Sequence, residues 1–247
     1  MDGVFFWSMA VLAAMMIGMA KGGLPAVGLL SVPLLSLTTS PVTAAGILLP
    51  VYVVSDMFGL YAYRRDYDAR VVLIVMAGAT VGVGIGWATA TVVSERVVTV
   101  LVGMVGLAFA SYLLVRRTGK QTRRPGKVGP GLLWSTLAGF TSFVSHAGAP
   151  PYQAYVMPLG LPKAVFAGTA TIAFAYINAI KLVPYYVLGQ LGLDNLRVAA
   201  VLIPVAALAV FVGVRLVKVL PEKRFFQLVT WALFAVSIRL IWEGLAG

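Results

Sequence analysis

His146 is the one histidine of the sequence, and it heads the stretch HAGAPP (146–151) inside an otherwise apolar run. A second stretch of the same kind, KGGLP (21–25), sets Lys21 in the matching place, so that Gly23 aligns with Gly148 and Pro25 with Pro150. Each combines a side chain able to carry positive charge with glycine and proline. Glycine lets a ligand approach the backbone closely. Proline opens a new helix at little cost, because the N–H it lacks has no partner in the first turn anyway. A helix start offers unpaired amides and roughly half a positive charge, which suits an anion. The two stretches read as half-helix starts holding a small anion: Lys21, Gly22, Gly23 and Pro25 at one, His146, Gly148 and Pro150 at the other. For either stretch alone, a tight turn between packed helices is the better explanation of the composition. The recurrence favours binding.

The remaining ionisable groups inside apolar segments are few. Asp56 lies within 42–63 and Lys181 within 163–188. Such groups are costly in a bilayer and normally face a partner or a water-filled path. Asn178 and Lys181 are three residues apart and share a helical face. Asp56 and His146 are the candidates for carrying a coupling proton, histidine because its ordinary pKa of about 6.5 lies in the physiological range. The structural alternatives are an ion pair for Asp56 and Lys181, or a lysine reaching to the membrane surface. No acid stands near His146 in the sequence, the nearest being Glu95 and Asp194. A histidine general base needs a positioned partner, so an enzyme is the weakest reading. With no cysteine and one histidine, neither a metal centre nor a cofactor is expected.

What must position these residues is a set of membrane helices. The 247 residues are 60% hydrophobic and 11% charged, against roughly 25% charged in soluble domains. Residues 71–93 and 97–115 carry no charge at all, and at about 1.5 Å per residue each can cross a hydrocarbon core about 30 Å thick. Apolar segments fall at 4–20, 24–37, 42–63, 71–93, 97–115, 131–145, 151–161, 163–188, 198–220 and 225–243. The second, sixth and seventh are too short to span comfortably, and they form pairs around the two Gly/Pro breaks. The N-terminus lacks a basic leader region and reads as retained.

The net charge of +11 does not point to nucleic acid, because six of the nineteen basic residues crowd into RRTGKQTRRPGK (116–127). A basic loop between spans fixes topology and belongs on the cytoplasmic side, with anionic lipid a secondary partner. Counting outward from it makes RRDYDAR (64–70) and PEKR (221–224) cytoplasmic too, and gives the halves opposite orientations.

The halves also repeat. Pro33 and Pro158 each lie eight residues beyond the first proline of a break, SPVTAAG (40–46) resembles LPKAVFAG (161–168), and Asp56 falls opposite Asn178. We therefore expect an all-α, polytopic transmembrane bundle of two inverted pseudo-repeats, each with a Gly/Pro-broken helical hairpin. The first covers residues 1–115 and the second 131–247, joined by a basic cytoplasmic linker, 116–130. Inverted repeats with broken helices mark secondary transporters, whose sites lie near the bilayer midplane.

GGLPAVGLLSVPLL followed by SPVTAAG, and GAPPYQAYVMPLGLPKAVFAGTATIAF, together resemble the sulfite exporter TauE/SafE family. The resemblance covers nearly the whole chain. Gly22, Gly23, Pro25 and Pro33 match the first motif, and Gly148, Pro150, Pro158, Pro162, Gly168 and Thr169 the second. It implies a multi-pass protein of the cell membrane, in bacteria the inner one, moving sulfur-containing anions such as sulfite or organosulfonates. The family more often carries a run of glycines at each break, which Lys21 and His146 curtail here. On this reading the anion binds at Lys21, His146 and the amides around Gly23 and Gly148, while Thr169, Asn178 and Lys181 line its path by alternating access. A passive anion channel is the alternative, and self-association into a homo-oligomer stays open.

Overall fold

The computed structural model describes residues 3–22, 25–90, 92–115, 126–219 and 222–246. In chain order these form α1 (Val4–Lys21), a 3-10 segment (Pro25–Leu30) running into α2 (Ser31–Leu35), α3 (Pro41–Tyr63), α4 (Ala69–Ala90) and α5 (Glu95–Val115). After the linker come α6 (Val128–Ser145), α7 (Ala149–Val156) with a 3-10 turn (Met157–Leu159), α8 (Lys163–Val187), α9 (Leu193–Val219) and α10 (Glu222–Ala246). No strand occurs among the described residues. Helices α1, α3, α4, α8 and α9 each contain a stretch long and apolar enough to cross a membrane. The protein is a multi-pass helical membrane protein, as composition requires.

Local chemistry sets the ends of these helices. Ser40 precedes Pro41, and its hydroxyl accepts from the Thr43 amide at 3.2 Å, an N-cap followed by proline at the first helical position. Asp68 does the same for α4, its Oδ1 accepting from the Val71 amide at 2.9 Å. The segments after the two breaks are short. Eleven residues in each, 25–35 and 149–159, rise only about 20 Å with α and 3-10 geometry, too little to cross the core.

The chain packs as two compact units. One comprises residues 1–55, 92–116 and 185–247, the other 56–91 and 117–184. In the first, α1 packs on α9 and α5 on α10. Ala10, Ala13, Ala14 and Ile17 of α1 bury against Ala199, Leu202 and Ala206 of α9, and a side chain on Gly18 would collide with the Ala206 carbonyl. In the second, α4 lies along α6. Gly78, Gly82 and Gly86 recur every fourth residue and so share one face, and the backbone and side chains of α6 fill the space their Cβ atoms would need. Lipid tails are as apolar as leucine, so small residues that let backbones approach are what hold such helices together.

The units do not follow the two sequence halves. Each takes helices from both, because the partner of a half's first helix is the fourth helix of the other half: α1 with α9, α6 with α4. The same arrangement thus occurs twice. A finer contact also recurs. Gly168 lies against the Asp66 carbonyl in the α3–α4 turn, and its counterpart Gly46 lies against the Gln190 carbonyl in the α8–α9 turn. Residues 116–125 of the basic linker lie outside the described residues.

Candidate functional site

The break after α6 is built around one unusual backbone. His146 has φ 53° and ψ 20°, and among the described residues it is the one non-glycine with positive φ. Its amide donates to the Ser142 carbonyl at 3.0 Å and the Ala147 amide reaches back to Thr141 at 3.2 Å, which ends the helix in a left-handed turn. That conformation costs an L-residue about 1–2 kcal/mol, and glycine is its usual occupant. Strain of this kind is retained where the side chain has a use. Gly148 is buried for packing: a Cβ there would lie 2.7 Å from the Ala138 carbonyl and 3.0 Å from the Phe174 ring. Helix α7 then starts at Ala149 with prolines second and third. Proline has no N–H, so the double proline leaves this helix start only the Gly148 and Ala149 amides to offer an anion.

Lys181 enters this site from α8. It is fully buried, so it does not reach to the membrane surface. Its Nζ donates to the Ser142 carbonyl at 3.0 Å and to Ser142 Oγ at 3.1 Å, and meets His146 Nδ1 at 2.6 Å. An ammonium has donors and no acceptor; with Lys181 charged, Nδ1 therefore accepts and the ring proton resides on Nε2. The ammonium also sits where the carbonyls at the C-terminal end of α6 are most electronegative. The cluster thus holds a buried lysine and a strained histidine together at the fracture of a helix.

One turn before Lys181, Asn178 Nδ2 donates to Asp56 Oδ2 at 2.6 Å, and both residues are buried. These two are the residues that the repeat sets opposite each other, and they touch. Asn178 and Lys181 occupy one face of α8, so the Asp56–Asn178 pair lies one turn from the Lys181–His146–Ser142 cluster. Thr169 lies elsewhere. Twelve residues before Lys181, it is about 18 Å away along the helix, fully buried, with Oγ1 accepting from the Asp68 amide at 2.9 Å. Its position fastens the α3–α4 turn to the start of α8. Pro150 is the second residue of α7.

The first break, in the other unit, is built differently. Gly22 caps α1 in right-handed geometry, φ −73°, and Pro25 opens the 3-10 segment. Gly23 lies outside the described residues. Lys21 Nζ stands 5.8 Å from the centroid of the Tyr52 ring, a cation–π distance. The Tyr52 hydroxyl donates to the Gly28 carbonyl at 3.0 Å and bonds Ser31 Oγ at 2.8 Å. Tyr52 therefore ties the 3-10 segment to α3 and offers its face to Lys21. Sequence reasoning missed Ser142 as a partner, although its spacing four before His146 places it on the last turn of α6. It also missed a cavity of about 210 Å³ in the second unit, where Asp68, Arg70 and Tyr155 supply the polar lining. The buried Tyr155 hydroxyl has no hydrogen-bond partner among the described residues.

Among the described residues no three histidine, cysteine or acidic side chains gather to hold a metal ion. No curated protein and no solved structure matches the chain. Residues 10–240 match the model of the sulfite exporter TauE/SafE family. That match spans nearly the whole of an all-helical chain with two broken hairpins, and the chain belongs to the sulfite exporter TauE/SafE family of membrane transport proteins.

Proposed function

We propose that this protein is a secondary transporter of small sulfur-containing anions, of the sulfite or organosulfonate type, working by alternating access in the bacterial cell membrane. The observation that carries the proposal is the buried Lys181–His146–Ser142 cluster at the break between α6 and α7. A tetrahedral or pyramidal oxyanion is recognised by a fixed cation and by donors that need no reorganisation. The His146 Nε2–H and the Gly148 amide are such donors, and Lys181, whose three N–H groups are engaged by Ser142 and His146, supplies the charge behind them. Lys21, beside Gly22 and Gly23 in sequence, is the corresponding cation at the first break, and Pro25 and Pro150 fix where the following segments begin. Asn178, one turn from Lys181, bonds Asp56, and Asp56 or His146 carries the coupling proton. Thr169 keeps the start of α8 in place. The duplicated pairings, α1 with α9 and α6 with α4, support two related halves, residues 1–115 and 131–247.

An enzymatic role is disfavoured by the same geometry. A catalytic histidine is oriented by an acceptor, commonly a carboxylate, whereas His146 Nδ1 faces an ammonium. The test uses purified protein in sealed proteoliposomes loaded with unlabelled sulfite and supplied with labelled sulfite outside. A secondary transporter gives saturable exchange and transient accumulation above the outside concentration. Flux that rises in proportion to concentration and never accumulates sulfite identifies a channel, and absence of flux in any direction removes the proposal.

A further inference from the structure

The second unit carries a groove that the transport path does not use. It is a cavity of about 540 Å³ between the C-terminal end of α3 and the first turns of α4, within the size range of ligand sites. Leu60, Leu73, Met76 and Ile172 make its walls, and Arg64 and Tyr67 stand at one end. The lining is mostly hydrocarbon, and Leu73 is 66% exposed, so the groove opens on the face that bilayer lipid covers. From Ala69 to Met76, helix α4 rises about 10 Å, so the groove runs from the α3–α4 turn down into the apolar layer.

The polar end is arranged. The Arg64 guanidinium lies 4.3 Å from the centroid of the Tyr61 ring and donates Nη1 to the Tyr61 carbonyl at 3.0 Å. Those two contacts hold the planar fork at the groove's mouth while consuming one of its five N–H groups. Arg65 follows it in the turn, and Arg64 is the one arginine of the groove's lining. Of the two acids there, Asp68 already accepts the Val71 amide, and Asp66 is exposed. An apolar slot with a guanidinium at its membrane-surface end matches a molecule with a hydrocarbon tail and an anionic head.

We propose that this groove binds an anionic phospholipid, one acyl chain lying along Leu73 and Met76 and the phosphate bonded to Arg64. The test uses delipidated protein in neutral detergent, offered phosphatidylglycerol or phosphatidylcholine with the same acyl chains, with retention read by native mass spectrometry. Glycerol 3-phosphate alone, read by thermal shift at equal concentration, stands for the headgroup without a tail. Wild type retains phosphatidylglycerol in preference and is not shifted by glycerol 3-phosphate. Arg64→Gln weakens phosphatidylglycerol retention about fivefold, the factor equal to roughly 1 kcal/mol per basic residue at an anionic surface, and leaves phosphatidylcholine unchanged. Ala69→Trp, which fills the mouth of the groove, weakens retention of both lipids. Equal retention of the two lipids by wild type, an unchanged preference in Arg64→Gln, or an equal shift from glycerol 3-phosphate alone overturns the proposal.

Discussion

Replacing His146 by glycine and, separately, by alanine separates what its backbone does from what its ring does. Both variants remove the imidazole, and both take from Lys181 the same acceptor, so that loss cancels in the comparison. They differ in the turn. At φ 53° alanine keeps the left-handed cost of about 1–2 kcal/mol, and glycine does not. Glycine gives back about 0.5–1 kcal/mol through its freer unfolded chain. The net expectation is that His146→Gly is more stable than His146→Ala by about 1 kcal/mol, or about 2–4 °C in a domain of this size. Thermal unfolding in one detergent, read side by side, measures it. In sulfite exchange the two variants are equally inactive, because neither has the ring. If alanine matches glycine in stability, His146 is not held in the left-handed turn. If glycine exchanges sulfite as wild type does, the imidazole is no part of the site and only the turn matters.

Lys181→Met leaves Ser142 Oγ and His146 Nδ1 without this donor, at about 1–3 kcal/mol each, but it also removes a buried charge whose desolvation is costly. The terms oppose, so unfolding shifts by only a few degrees while sulfite exchange is lost; retained exchange contradicts the site. Asp56→Leu strands the Asn178 amide and lowers stability by about 1–3 kcal/mol, read as a lower thermal midpoint. Gly82→Ala drives a methyl group into the Thr136 carbonyl and costs about 1–3 kcal/mol. Gly84→Ala, with open space around it, gains up to about 1 kcal/mol from helix propensity. Tyr52→Phe loses the bonds to Gly28 and Ser31 and destabilises by about 1–2 kcal/mol while keeping the ring beneath Lys21.

The ten apolar segments were legible because membrane insertion forces long uncharged runs, and the helices start where Ser40 and Asp68 cap them. The two short segments after the breaks were legible from the same pattern, since Gly and Pro interrupt the runs at KGGLP and HAGAPP. The partner of Lys181 was not. Spacing puts Asn178 and Lys181 on one face of α8, but no periodicity reveals that this face meets the last turn of α6, 39 residues earlier. The left-handed turn was also hidden, because histidine gives no hint of positive φ where glycine would. Thr169 stood out through its motif, and its hydroxyl fastens a turn; a motif marks a position and leaves its physical use unspecified. The pairing of α1 with α9 and of α6 with α4 joins residues far apart in sequence, through small-residue faces that any of several helices present.

The account stands on the two basic side chains at the breaks. The most direct measurement is concentrative uptake of labelled sulfite into proteoliposomes by wild type and by the double variant Lys21→Met/His146→Asn. Asparagine tolerates the left-handed turn, so folding is preserved and is checked by an unchanged thermal midpoint. Wild type accumulates sulfite with saturation, and the folded double variant shows no uptake above empty liposomes. Uptake by the double variant at the wild-type rate contradicts the account.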